Sequence, residues 1–281
     1  MKLLSFELNQ KEQWGAVVGE KVVNLSKATG VATLLAALEK YSLAEIETLA
    51  NENHADIALE NLHFLPVITN PKKIFCIGTN YHDHRIETGR EVPDFPVVFS
   101  RFAKSQIGHQ QPILRPIESE QLDFEGEIAI IIGKAGRRIS KEASWEYIAG
   151  YAPYCDGTIR DWQKHTHQWI PGKNFTATGG FGPWMVTRGE IEDNAELTLV
   201  TKLNGVEVQS TTSSLMIFSI PEIIHYCSQF VDLEVGDVIV TGTPGGVGGK
   251  RNPVLWMKDG DTLEIEVGRV GTLVNPIKNE K

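Results

Sequence analysis

Short runs of alternating apolar and polar residues dominate the chain, and runs at helical spacing are few. Residues 1–25 alternate around Gly15 and Gly19, as small strands and hairpins do. Residues 31–40 carry Leu34, Leu35 and Leu38 at helical spacing. Ser42 opens a second helix, with Glu45 three residues on completing a capping box. From His54 to Pro71 the pattern loosens, which predicts a boundary near residue 70. The expected organisation is a small α+β module over 1–70 and a larger domain over 71–281. In the larger domain, residues 73–77, 238–241, 262–267 and 270–277 read as strands. Asn204-Gly205 between the runs 197–203 and 206–209 signals a hairpin. Residues 141–147 and a segment starting at Ser219, with Pro221 in its first turn and Glu222 at the capping-box position, read as helices. Alternating β-α-β units are missing. The predicted fold is therefore α+β and β-rich, a mixed roll or barrel with few helices.

Composition narrows the functional classes. With 281 residues, 41% hydrophobic and 22% charged, the chain suits a soluble globular protein with a sizeable core. Its 27 Lys and Arg against 36 Asp and Glu give a net charge of -9, which argues against nucleic acid or an anionic membrane as partner. Polar and acidic residues interrupt the N-terminus too early for a signal-peptide core, and no run approaches the ~20 apolar residues of a membrane span. Cys76, Cys155 and Cys227 are few and widely spaced, the pattern of reduced, buried cysteines in a cytoplasmic protein.

The densest chemistry lies in Asp123-Phe124-Glu125-Gly126-Glu127, which runs straight into the apolar stretch 128–132. On a strand, positions i and i+2 share a face, so Glu125 and Glu127 aim two carboxylates at one spot. Either both stay wet at an exposed edge, or a hard divalent cation lies between them. Asp156 follows the apolar, aromatic run 147–155. It is either a third carboxylate of the same site or the N-cap of a helix over 159–165. Three carboxylates favour Mg2+, Mn2+ or Ca2+ over zinc. Arg160 and Gln163, four and seven residues further on, share a face with Asp156 if that segment is helical. His84 and Glu87, spaced i, i+3, can touch on one helical turn as a water-activating dyad, although a mobile polar loop is the competing reading and spacing alone does not exclude His82. Lys173, among glycine and aromatic residues, is either a buried point charge or a loop lysine. The turn Gly242-Thr243-Pro244-Gly245-Gly246-Val247-Gly248 could cradle an anion, but it lacks the Gly-Lys-Ser/Thr of a P-loop.

Taken in order, these pieces resemble the fumarylacetoacetate hydrolase family, in its acylpyruvate hydrolase and 2-oxo-acid hydratase/decarboxylase branch. The matching stretches are Ile77-Gly78-Thr79-Asn80-Tyr81 with His84 and Glu87, and Leu122 to Glu127. They continue with Asp156 followed by Arg160-Asp161-Trp162-Gln163, Gly172-Lys173-Asn174-Phe175, Met216-Ile217-Phe218 and Gly242 to Gly248. Thr79, Tyr154-Cys155 and Arg101 depart from the usual pattern. The resemblance implies Glu125, Glu127 and Asp156 as ligands of Mg2+ or Mn2+, with Ca2+ an alternative occupant in a crystal. It implies His84 and Glu87 as the dyad on a lid, with Lys173 stabilising an oxyanion. Arg160, Gln163, Lys173 and Thr243 would surround the pyruvate-like end of a 2-oxo or 2,4-dioxo acid. It further implies a β-rich roll, commonly a homodimer. The expected reaction is carbon–carbon hydrolysis of an acylpyruvate such as fumarylpyruvate or maleylpyruvate. Oxaloacetate decarboxylation, hydration or isomerisation of an unsaturated 2-oxo diacid, cleavage of a diketo-deoxy sugar acid, and metal-dependent binding without catalysis are the alternatives.

Overall fold

A computed structural model describes residues 1–281. Two sheets form the body. The larger is organised around the strand Gly126–Ile132, which pairs antiparallel with Ile148–Asp156 on one side and Val238–Val240 on the other. Val238–Val240 continues to a parallel neighbour, Ile74–Gly78, and that to Val97–Ser100. In the other direction Ile148–Asp156 leads through Met185–Thr187 to the N-terminal strands Lys2–Leu8, Lys11–Val18 and Lys21–Asn24. The smaller sheet has five strands and is built around Thr198–Leu203 and Thr262–Val267.

Strand Gly126–Ile132 is buried along its whole length, and its alternation divides the core. Ile128, Ile130 and Ile132 face the five-stranded sheet and pack with Leu199, Leu203 and Ile265. Ala129 and Ile131 face the opposite way, toward Trp14, Leu34, Leu35 and Ile46 of the N-terminal segment. The first 70 residues thus add strands to the main sheet and side chains to its core. By the same alternation, Gly126 points at the smaller sheet, where an added Cβ would stand 2.0 Å from Thr201 Oγ1. Glycine between the two glutamates is what lets the sheets close at this end.

The mixed α+β, strand-rich architecture is the one the sequence predicts. Asn204 and Gly205, both at positive φ, turn the expected hairpin. Ser42 and Ser219 both head helices with complete capping boxes, Leu43–Glu52 and Ile220–Phe230. Two helices away from the acidic cluster are shorter than expected. The one expected over 31–40 spans Leu34–Lys40, because Thr33 caps it by accepting from Ala36 N–H. The one expected over 141–147 shrinks to a 3-10 turn, Ser144–Tyr147. All three cysteines are free and buried. No helix is long and apolar enough to cross a membrane.

Candidate active site

Strand direction brings the chemistry to one end of the larger sheet. The N-terminal end of Gly126–Ile132 lies beside the C-terminal ends of Ile148–Asp156 and Val238–Val240, its antiparallel neighbours. Ile74–Gly78 runs parallel to Val238–Val240 and finishes at the same end. Glu125 and Glu127, Asp156, the turn from Gly242, and the helix His82–Thr88 therefore meet there.

Carboxylate oxygens of Glu125, Glu127 and Asp156 lie within 4.8 Å of one another. Their exposures are 4%, 2% and 0%, so the wet-edge reading is overturned. The N-cap reading of Asp156 fails as well. The aromatic run before it is paired on both edges and stays extended through residue 156. The helix expected over 159–165 is only Arg160–Gln163, and Asp156 lies outside it.

Three buried cations answer these acids. Lys173, 1% exposed, donates from Nζ to Glu125 Oε2 and Asp156 Oδ2, both at 2.5 Å. Burial opposes its ammonium, but the Asp156 and Glu125 charges outweigh that and hold its pKa above the ordinary lysine value. Arg160 Nε donates to Asp123 Oδ2 at 2.7 Å. Its Nη1 donates to Gln163 Oε1 at 3.0 Å, and its Nη2 makes an ion-pair contact with Glu125 Oε1 at 2.6 Å. Arg101 Nη1 donates to Asp156 Oδ1 at 2.7 Å and to Gly157 O at 2.8 Å, while Nη2 donates to Thr178 Oγ1. Against burial, Arg160, Lys173 and His84 hold Glu125 well below the usual carboxylate range. Glu127 has no cation of its own; it accepts from Gly242 N–H at 2.5 Å. Burial, then the charges of Asp156 and Glu125, push it well above the usual range. A group of three converging carboxylate oxygens, without nitrogen or sulfur donors and with one member lacking a counter-charge, fits a hard divalent cation such as Mg2+ or Mn2+.

His84 and Glu87 touch as their spacing predicts. His84 is buried on the helix His82–Thr88, with Nδ1 2.6 Å from Glu87 Oε1. Glu87 Oε2 accepts from Gly246 N–H at 2.9 Å, tying the helix to the glycine-rich turn. His82 is exposed and does not take part. Thr243 lines the cavity, but its hydroxyl already donates to Gly126 O and accepts from Gln209 Nε2, so toward a ligand it could only accept.

Sequence reasoning missed three supports. Arg101 was visible only as a departure from the usual family pattern. Asp123, 0% exposed, accepts from Gly248 and Gly249 N–H as well as from Arg160, and so fixes the glycine turn against the guanidinium. Asn80 is equally buried and staples the end of Ile74–Gly78 to both Phe218 and Thr241.

Residues 73–278 match the family model of the fumarylacetoacetate (FAA) hydrolase C-terminal domain. The chain belongs to the fumarylacetoacetate hydrolase family. Within that family it is 38% identical over 238 residues to the mitochondrial oxaloacetate tautomerase of Xenopus laevis, covering 84% of this chain and 75% of that protein. It is 42% identical over 215 residues to the oxaloacetate tautomerase YisK of Bacillus subtilis, covering 75% and 71%. The fumarylacetoacetate hydrolase of Exiguobacterium antarcticum superposes with a TM-score of 0.84 at 30% identity over the full length of both chains. Hydrolases and tautomerases are thus both represented among relatives of this fumarylacetoacetate hydrolase family fold.

Proposed function

We infer that this protein is an enzyme that moves a proton on a small 2-oxo dicarboxylic acid, interconverting keto and enol forms of an oxaloacetate-like substrate. The observation that carries this reading is that buried His84, paired with Glu87, lines the same cavity as three convergent carboxylates. The kinship to oxaloacetate tautomerases supports it. When bound at Glu125, Glu127 and Asp156, Mg2+ or Mn2+ supplies Lewis acidity toward a 2-oxo carboxylate.

The side chains do the rest. Glu87 accepts from Nδ1 of His84, fixes the tautomer and raises the basicity of Nε2. Nε2 takes a proton from the carbon beside the carbonyl, and protonation of the carbonyl oxygen completes the enol; the reverse sequence gives the keto form. Lys173 and Arg160 hold positive charge beside the reacting oxygens. A second reading, hydrolysis of an acylpyruvate, is favoured by the volume of the cavity, about 490 Å3. The same dyad would then deprotonate a water.

The test is a direct comparison on protein loaded with Mg2+ or Mn2+. Enol–keto exchange of oxaloacetate is followed by ultraviolet absorbance, and pyruvate release from fumarylpyruvate, maleylpyruvate and acetylpyruvate is measured beside it. Accelerated exchange that falls about 10²–10⁴-fold in His84→Gln supports the tautomerase reading. Pyruvate release without accelerated exchange gives the hydrolase. Neither activity in the loaded protein refutes both.

A further inference from the structure

The cavity floor is crowded with paired charges, but its rim is not. Arg90, Lys164 and Lys250 line the rim, and none lies within ion-pair distance of a carboxylate. In a chain of net charge -9, the exposed Lys, Arg, Asp and Glu residues that line this opening are all cationic.

Arg90 is also held in place. Its guanidinium carbon lies 4.8 Å from the centroid of the Trp169 ring, a cation–π distance. Its Nη1 is 3.5 Å from Thr79 Oγ1, and its backbone is tied to Arg85 through both N–H and carbonyl. Trp169 is seated on bare backbone: a Cβ at Gly78 would come within 2.4 Å of the indole. Thr79, a β-branched residue, has a φ of 56°, a conformation that survives only where surroundings impose it. The ladder continues inward. Trp169 meets Phe99 edge-on at 5.2 Å, and Lys173 Nζ lies 4.9 Å from the Phe99 centroid. Two aromatic rings therefore separate a cation on the floor, beside the metal-type cluster, from an unpaired cation on the rim. All four side chains line the cavity.

We propose that Arg90 is a specificity-determining residue that receives the second carboxylate of a dicarboxylic 2-oxo acid, whose carbon chain lies along Phe99 and Trp169. This rests on the reading of the floor as a 2-oxo-acid site. It extends the substrate class beyond four-carbon oxaloacetate to longer 2-oxo diacids, with several carbons between their acid groups.

Matched probes separate the two claims. Affinities for oxalate, 2-oxohexanoate and 2-oxoadipate are measured calorimetrically on Mn2+-loaded protein. Oxalate engages the floor alone; the other two share a six-carbon chain and differ only in the terminal carboxylate. The wild type binds 2-oxoadipate about fivefold to tenfold tighter than 2-oxohexanoate. Arg90→Met abolishes that preference and leaves the oxalate affinity within twofold, while Arg90→Lys keeps part of it. A wild type indifferent to the terminal carboxylate, or a preference intact in Arg90→Met, overturns the assignment of Arg90. A wild type that binds none of the three overturns the reading of the floor, and the inference with it.

Discussion

Asp123→Asn is the sharpest probe of how the site is held together. The carboxylate is 0% exposed, and its two oxygens accept four hydrogen bonds, from Phe124, Gly248 and Gly249 N–H and from Arg160 Nε. Asparagine keeps one acceptor oxygen, which can still serve Phe124 and Gly248. The amide nitrogen then faces two donors, Gly249 N–H and the Arg160 guanidinium. The substitution leaves a buried cation without one of its partners, which costs about 3–5 kcal/mol. With an unfolding entropy of about 2.1 cal/mol/K per residue over this length, 4 kcal/mol corresponds to a fall in Tm of about 7 °C. Differential scanning fluorimetry on protein freed of metal reads this directly. A second readout is proteolysis of the 242–251 segment, which should become faster once the turn loses its anchor. A Tm within 1 °C of wild type, with unchanged proteolysis, would refute the view that Asp123 clamps the turn to Arg160.

Three further outcomes follow from the same charges, and a fourth from a histidine outside the cluster. Mn2+ or Mg2+ at about 100 times its Kd should stabilise the protein by about 2.7 kcal/mol, a Tm rise of about 4–5 °C. Glu127→Gln should lose that rise without lowering the metal-free Tm, since Glu127 has no cationic partner; a full rise in the variant would contradict its role as a ligand. Arg101→Met should lower the metal-free Tm by about 5–8 °C, because it strips one counter-charge from buried Asp156, and Arg101→Lys should recover part of the loss in the same melt. His109, whose Nδ1 accepts from Val274 N–H beside the Phe64 ring, is pushed by burial from 6.5 to about 4. Its folded pKa is depressed, so its contribution is complete above pH 6.5 and is lost as pH falls from 6.5 to 4, by up to about 3 kcal/mol. Chemical denaturation of His109→Asn should show a shallower decline across that window; an identical decline would sink the assignment.

What could be read from the sequence was local. The Asn204-Gly205 hairpin, the two capping boxes and the His84–Glu87 spacing are each decided within a few residues, and each is present as read. The paired glutamates were legible because strand alternation dictates where i and i+2 point. Asp156 was not decidable that way. A cap and a strand end look alike locally, and pairing with 126–132 and 179–181 made the choice. Arg101 and Asp123 were given no role because their partners lie 55 and 125 residues away, at Asp156 and Gly248. The module expected over 1–70 was drawn from a loosening of pattern, while the strands on either side of that line share one sheet.

The seven buried ionic side chains at this end of the sheet are four acids, Asp123, Glu125, Glu127 and Asp156, and three bases, Arg101, Arg160 and Lys173. With every group ionised, one negative charge is left over, and the raised affinity of Glu127 for a proton can cancel even that. Folding and metal loading are therefore separable events: the polypeptide can reach its native state as a nearly neutral salt of itself. A cation binding here would compete with the Lys173 ammonium for the carboxylates of Glu125 and Asp156. A cation held against that rivalry would exchange with the surrounding pool rather than be sealed in.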